Sequence, residues 1–333
     1  MCVITLLTDF GTQDAFVGVM KGVIKTIAPA ADVIDLTHHV PPQDIKAGAF
    51  VLKTAYRYFP PGTIHLAVVD PGVGGTRRPM AVRLGGHVYV CPDNGLLSHV
   101  LAGETLTQAV ALDNTQYHLP QRSRTFHGRD IFAPVAAHLA NGVPLEALGT
   151  PSDTLQTFPL SAPVVSGDMI TCHVIYADVF GNLFTDLTEE RAAGQSFGVA
   201  EVGGAVIRGL SDSYSSVPEG SPLALFGSSG HLEIAVRKGS ARRMLSVEVG
   251  GEVTVLSPAR AGDRVARQRH LPRDARRAGS THSSRPGRGH HLLPCRLRAR
   301  GGISGHLPQK ARRPGAGDGQ HHGRRRAGPL PGH

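Results

Sequence analysis

Three short segments carry the side chains best suited to chemistry. Asp70-Pro71-Gly72-Val73-Gly74-Gly75-Thr76-Arg77-Arg78 sets a carboxylate before a glycine turn and paired arginines after it. Thr125-Phe126-His127-Gly128-Arg129-Asp130 offers an imidazole among polar neighbours, and Thr8-Asp9-Phe10-Gly11-Thr12 offers a second carboxylate. Carboxylate, guanidinium and imidazole are the groups of proton transfer and charge stabilisation. Each segment also has a plainer reading. The glycine turn does not match a phosphate loop, because no helix N-terminus follows it, and the arginines could simply be solvated. His127 could cap a helix or sit in a core, and Asp9 could cap the helix that follows it.

The elements that must position these groups are readable from periodicity. Val3–Leu7 is an apolar run with the length of a buried strand, ending at Thr8-Asp9. Phe16, Val19, Met20, Val23, Ile24 and Ile27 mark one face of a helix stopped by Pro29. Asp32–Leu36 reads as a strand, Ile45 to Phe59 as a helix closed by Pro60-Pro61-Gly62, and Thr63–Val69 as a β-branched strand running into Asp70. That β-α-β-α-β order predicts a Rossmann-like, mostly parallel sheet covered by helices. A strand pair follows (Met80–Leu84 and His87–Cys91, turning at Gly85-Gly86), then a short helix from Gly95 and a helix over Asp130–Ala140. In such sheets ligands bind beyond the carboxyl ends of the strands. Asp9, Asp70 and the Pro92-Asp93-Asn94-Gly95 turn all fall there, so polar groups converge on one rim.

Residues 1–150 thus read as an α/β N-terminal domain holding the catalytic groups, and 151–168 as a linker. Residues 169–256 change texture. Short runs (Ile170–Tyr176, Ala205–Leu210, Leu223–Phe226, His231–Val236, Leu245–Val249, Glu252–Leu256) between Gly, Pro and Ser turns predict a small all-β, barrel-like C-terminal domain. Residues 257–333 break the composition again. They hold 18 Lys and Arg, 17 of them Arg, against 3 Asp, whereas residues 1–256 carry 17 basic and 23 acidic side chains. The tail has no aromatic residue, and 21 of its 77 residues are Gly or Pro, so it reads as disordered. An arginine-rich arm for nucleic acid is one reading. The preferred one is out-of-frame translation of a GC-rich stretch, which leaves no nucleic-acid partner to expect.

Four scattered cysteines without CxxC spacing are neither a disulfide framework nor a zinc site, and they fit a reducing cytoplasm. The apolar runs fall far short of the roughly 20 residues of a membrane span, and the N-terminus lacks the basic start of a signal peptide.

Taken in order, TDFGTQD, VVDPGVGGTRR, CPDNG, TFHGRDIFAPVAA, ADVFGNLFTDL and SSGHLEIAVRKGSA closely resemble one family. It is the S-adenosyl-L-methionine (SAM) hydroxide adenosyltransferases, adenosine-forming SAM hydrolases related to the SAM-dependent fluorinase and chlorinase. The resemblance spans about Val3 to Leu256 and leaves the tail unexplained. It implies a catalytic set of Asp70, Arg77 and His127, with the Asp-to-Arg spacing of seven preserved. Gly75-Thr76 departs from the family pattern of Thr and one variable residue. The resemblance further implies that Asp9 binds the ribose, Asp178 the methionine ammonium and Asn182 the adenine, with Phe180 and Phe184 flanking the base. Ser228 and Ser229 fall in the methionine-carboxylate region, and Asn94, Tyr214 and Glu233 complete the implied substrate-binding set. It implies a homotrimer whose site lies between the first domain of one subunit and the second domain of its neighbour.

The chemistry suits those residue types. SAM is a sulfonium whose C5′ already bears a good leaving group, a neutral thioether, so neither metal nor cofactor is expected and SAM itself is the substrate. What the reaction needs is a water in line behind C5′ and a group to take its proton, roles open to Asp70 and His127 beside Arg77. A halogenase is the alternative within the fold. Against it, Asp70 would repel a halide by about 4 kcal/mol at close range, and Cys91 to Thr105 leaves no room for the halogenases' inserted loop. A SAM- or nucleoside-binding protein without turnover is the alternative from another class.

Overall fold

The computed structural model describes residues 2–258, so nearly all of the segment read as a tail lies outside the described residues. The chain opens β1 (Val3–Thr8), α1 (Phe16–Ile27), β2 (Asp32–Thr37), α2 (Ile45–Ala55), β3 (Ile64–Val68). It continues through β4 (Pro79–Leu84), β5 (His87–Pro92), α3 (Ser98–Leu101), β6 (Leu106–Ala111), α4 (Ala133–Ala140) and the short β7 (Thr150–Pro151). These strands form one seven-stranded sheet in the order β2-β1-β3-β5-β4-β6-β7. The first four are parallel neighbours, and β4, β6 and β7 add an antiparallel edge.

Both faces of β1 and β3 are covered, which is why they read as continuous apolar runs, whereas the edge strand β2 is largely exposed. Ile4, Leu6, Leu66 and Val68 pack with Met20 and Ile24 of α1 and Val135 of α4 on one face. Leu7, Ala67 and Val69 pack with Ala49 and Leu52 of α2 on the other. The β4–β5 hairpin turns at Gly85 and Gly86, both at positive φ (57° and 80°), the conformation two-residue hairpins require.

The second half adds β8 (Val164–Ser166), β9 (Met169–Ala177), β10 (Leu183–Thr188), α5 (Glu189–Ala192), β11 (Val199–Val202) and β12 (Ala205–Arg208). It closes with β13 (Pro222–Phe226), β14 (His231–Val236), α6 (Ala241–Leu245) and β15 (Glu252–Leu256). All pair antiparallel, in the order β12-β11-β15-β9-β10-β14-β13 with β8 on β9. The sheet curls until its ends nearly meet: the Ser211 N–H, just after β12, donates to the Ala224 carbonyl of β13 at 2.8 Å. The expected α/β plus barrel-like architecture is the one observed.

One expected strand is replaced. Leu245–Val249 is the end of α6 and a loop, because Ser240 caps a run of helix formers, its Oγ accepting from the Arg243 N–H at 3.3 Å. Leu245 and Val247 are nonetheless buried, so their alternation imitates a strand. No helix among the described residues is long and apolar enough to cross a membrane.

Candidate active site

The carboxyl ends of β1, β3 and β5 lie side by side at the centre of the first sheet and carry Asp9, Asp70 and Asp93-Asn94 in turn. Asp70 meets Arg77 across the glycine turn. The Arg77 Nε–H lies 3.0 Å from Oδ1 and 2.9 Å from Oδ2, and Nη2 also donates to Oδ2. The two side chains are only 4% and 8% exposed, so solvent screens the pair weakly. The turn is built for glycine at one point: Gly74 has φ +75°, and a Cβ there would stand 2.3 Å from the Arg124 carbonyl oxygen.

Arg77 also reaches His127, its Nη2 donating to Nδ1 at 2.7 Å. Arginine has no acceptor, so Nδ1 must offer a lone pair, and the neutral ring carries its proton on Nε2. Burial first, and the Arg77 charge second, hold the His127 pKa below its usual value and favour that neutral ring. A single π-turn, in which the Ala133 N–H donates to the Gly128 carbonyl, starts immediately after His127. Buried Asp130 fixes the preceding loop by accepting from the Ser123 N–H (2.7 Å) and hydroxyl (2.8 Å). The Arg77 guanidinium further lies 5.4 Å from the Phe132 ring centroid.

The substrate-binding candidates divide between places. Asp9 Oδ2 accepts from the Gln43 N–H at 2.8 Å, near the β1 end. Asn94 spends its amide on the main chain, donating to the Val69 carbonyl (2.8 Å) and accepting from the Leu96 N–H (3.2 Å). On the second sheet a groove of about 800 Å³ is lined by Asp178, Phe180, Asn182 and Tyr214. Asp178 organises the loop there, accepting from the N–H groups of Phe180 and Asn182 (2.9 Å each) and from Asn182 Nδ2 (3.0 Å). Val179 and Phe180 stand out at 89% and 72% exposed.

Tyr214 donates its hydroxyl to buried Glu233 at 2.6 Å, and burial pushes the Glu233 carboxyl upward in pKa. Ser228 and Ser229 occupy the β13–β14 turn, with Ser229 Oγ buried and unpartnered. Phe184 does not join Phe180: it packs against Phe50 of α2 (5.7 Å) and Tyr176 (5.9 Å). None of Asp9, Asp70, Arg77 and His127 lines the groove. Sequence reasoning passed over Arg237, Lys238, Ser240, Arg243 and Met244, which complete the groove wall. The signal for Arg237, Lys238 and Ser240 was the last motif itself, which runs on past Glu233 to Ala241. Among the described residues no group of three His, Cys, Asp or Glu side chains is placed to hold a metal ion.

The sequence pattern of the SAM hydroxide adenosyltransferase N-terminal domain matches residues 4–149, and that of the C-terminal domain matches residues 172–254. The chain belongs to the SAM hydroxide adenosyltransferase family. Among curated members and relatives of that family, it is 41% identical to an (R)-S-adenosyl-L-methionine hydrolase of Thermus thermophilus, over 75% of this chain and 98% of that protein. A hydrolase of the same name from Methanocaldococcus jannaschii is 31% identical, over 76% and 95%. A fluorinase of Actinopolyspora mzabensis is 27% identical, over 76% and 96%. The crystal structure of an uncharacterised conserved Thermotoga maritima protein superposes with a TM-score of 0.72 at 36% identity, covering 76% of this chain and 99% of that chain.

Proposed function

We propose that the chain hydrolyses SAM to adenosine and L-methionine, with water attacking C5′ in line with the departing thioether. The observation that carries this reading is the Asp70–Arg77–His127 cluster at the carboxyl end of a parallel strand, with the side chains of its ion pair shielded from solvent. Asp70 keeps lone pairs beyond those Arg77 uses, and it is the group that takes the water's proton. His127, neutral with its proton on Nε2, acts as a donor that orients the water; this narrows the two-acceptor role expected from sequence. The sulfonium leaves as a neutral thioether, so the protein's task is positioning the water and C5′.

The groove on the second sheet suits the rest of SAM. Asp178 has a free lone pair on Oδ2 for the methionine ammonium, Asn182 Oδ1 is left to accept from adenine, and exposed Phe180 offers a stacking face. Asp9 serves the ribose. The cluster does not line that groove, which supports a site completed by the first sheet of one subunit and the groove of a neighbour, in the homotrimer that the family resemblance implies. The three cysteines among the described residues are free, which suits a cytoplasmic location.

The test is a product assay. SAM of each sulfonium configuration, incubated with the protein in chloride buffer, should yield adenosine and methionine in equal amounts, with the (R) form named in the relatives as the expected substrate. Accumulation of 5′-chloro-adenosine would transfer the assignment to the halogenases. Binding of SAM without any product would leave only a binding protein.

A further inference from the structure

Asp93 and Arg78 form a second ion pair beside the first, its carboxylate buried and its guanidinium reaching the surface. Arg78 donates to Asp93 Oδ2 from Nε (3.0 Å) and Nη2 (2.6 Å), and Asp93 is buried. The other Asp93 oxygen accepts from the Gln156 N–H at 2.7 Å. Arg78 continues outward, from Nη1 to Ser152 Oγ (2.8 Å) and from Nη2 to the Thr154 carbonyl (2.7 Å). The pair therefore pins the start of β4, one residue after Arg77, to the end of β5 and to the segment that leads into the second sheet.

The neighbouring Asn94 acts on the other member of the catalytic pair. Its Nδ2 holds the Val69 carbonyl, one residue before Asp70. One four-residue turn, Pro92 to Gly95, thus grips the chain immediately before Asp70 and immediately after Arg77. The segment from 152 onward also docks on this turn: a Cβ on Gly95 would come within 2.9 Å of the Phe158 ring, and the Phe158 N–H donates to Ser98 Oγ at 3.0 Å. The two arginines, adjacent in the loop just ahead of β4, divide the labour. Arg77 turns to Asp70 and His127, Arg78 to Asp93.

We infer that Arg78, Asp93 and Asn94 are positioning residues, a brace that fixes the Asp70–Arg77 geometry and ties it to the segment leading to the second sheet. This rests on the proposed reaction at Asp70. It assigns Asn94 to the chain's own backbone in place of the substrate contact expected from sequence.

The experiment compares kcat, KM for SAM and thermal midpoint in Asn94→Asp and in the paired variant Arg78→Met/Asp93→Leu. Replacing both ions by apolar groups of similar size removes the buried unpaired charge that a single substitution leaves. The paired variant should therefore melt near the wild-type midpoint while kcat falls about 10- to 100-fold, the loss expected of a misplacement near 1 Å. Asn94→Asp, which keeps the Leu96 contact and loses the donor to Val69, should lower kcat with KM within about twofold. A rise in KM with kcat unchanged would make Asn94 a substrate contact and overturn the brace. Full kcat in both Asn94→Asp and the paired variant would overturn it as well. Asp70→Asn, run alongside, separates the two levels: if it keeps full turnover, the reaction centre itself is misassigned, and if it loses turnover while the brace variants do not, the brace alone fails.

Discussion

Arg77→Lys isolates the one side chain that touches both other members of the cluster. Lysine preserves the positive charge, so Asp70 is not left as an uncompensated buried carboxylate, a loss that typically costs about 3–5 kcal/mol of stability. What lysine lacks is the fork. Arg77 spans Asp70, at 3.0 and 2.9 Å from Nε, and His127, at 2.7 Å from Nη2, whereas one ammonium can serve one of these sites well. Whichever partner is given up, at least one charge-assisted hydrogen bond in a weakly screened site disappears. Loss of one preorganised donor of this kind costs about 2.7–4 kcal/mol of transition-state stabilisation, or about 10²- to 10³-fold in kcat. Steady-state release of adenosine, with binding of SAM measured separately by calorimetry, reads the effect. The expected outcome is a kcat loss in that range with the dissociation constant for SAM little changed. Retention of kcat within about threefold would mean that the two-sided bridge has no part in the reaction.

Acid should unfold the protein through its buried histidines. His65 is held neutral, its pKa pushed down to about 3 by burial and secondarily by His87, and burial first holds His99 and His118 near 4. The unfolded chain binds these protons from about pH 6.5 downward while the folded protein does not, so stability is full above that pH and falls as pH drops toward the folded values. His65 alone removes about 2 kcal/mol between pH 6.5 and 5. Denaturant titrations of wild type and His65→Gln should differ in slope by one proton over that interval, and equal slopes would refute the assignment. Gly74→Ala, with its positive φ and the Arg124 carbonyl in the way, should lose at least about 1–3 kcal/mol and most activity, as read by thermal melting and adenosine release. Asp70→Ala and Asp178→Asn subunits, each inactive alone, should recover part of the activity when refolded together. No recovery from stable mixed assemblies would argue for a site within one subunit.

The fold was most legible where hydrophobic pattern and burial coincide. β1 and β3 are covered on both faces, so they stand out as apolar runs, and the polar residues that end them mark the rim. β10 escaped because polar Thr185 and Asp186 are buried between its two core residues, Leu183 and Leu187. Thr185 Oγ1 donates to the Leu232 carbonyl (3.0 Å) and Asp186 Oδ1 accepts from the His173 N–H (2.9 Å), partners that hydrophobicity cannot reveal. β6 escaped because Thr107 and Gln108 interrupt a strand only partly buried. At the site, the seven-residue spacing of Asp70 and Arg77 survives as a loop that returns the guanidinium to the carboxylate. The tautomer of His127 and the π-turn that aims it depend on Arg77 and on the buried Asp130, contacts made only in the folded chain.

The central claim is that water attacks C5′. Hydrolysis in ¹⁸O-labelled water followed by mass spectrometry of the products tests it most directly. Attack at C5′ puts one labelled oxygen in each adenosine, at the 5′ position, and none in methionine. Unlabelled adenosine, or transfer of the SAM methyl group to an acceptor in its place, would contradict it.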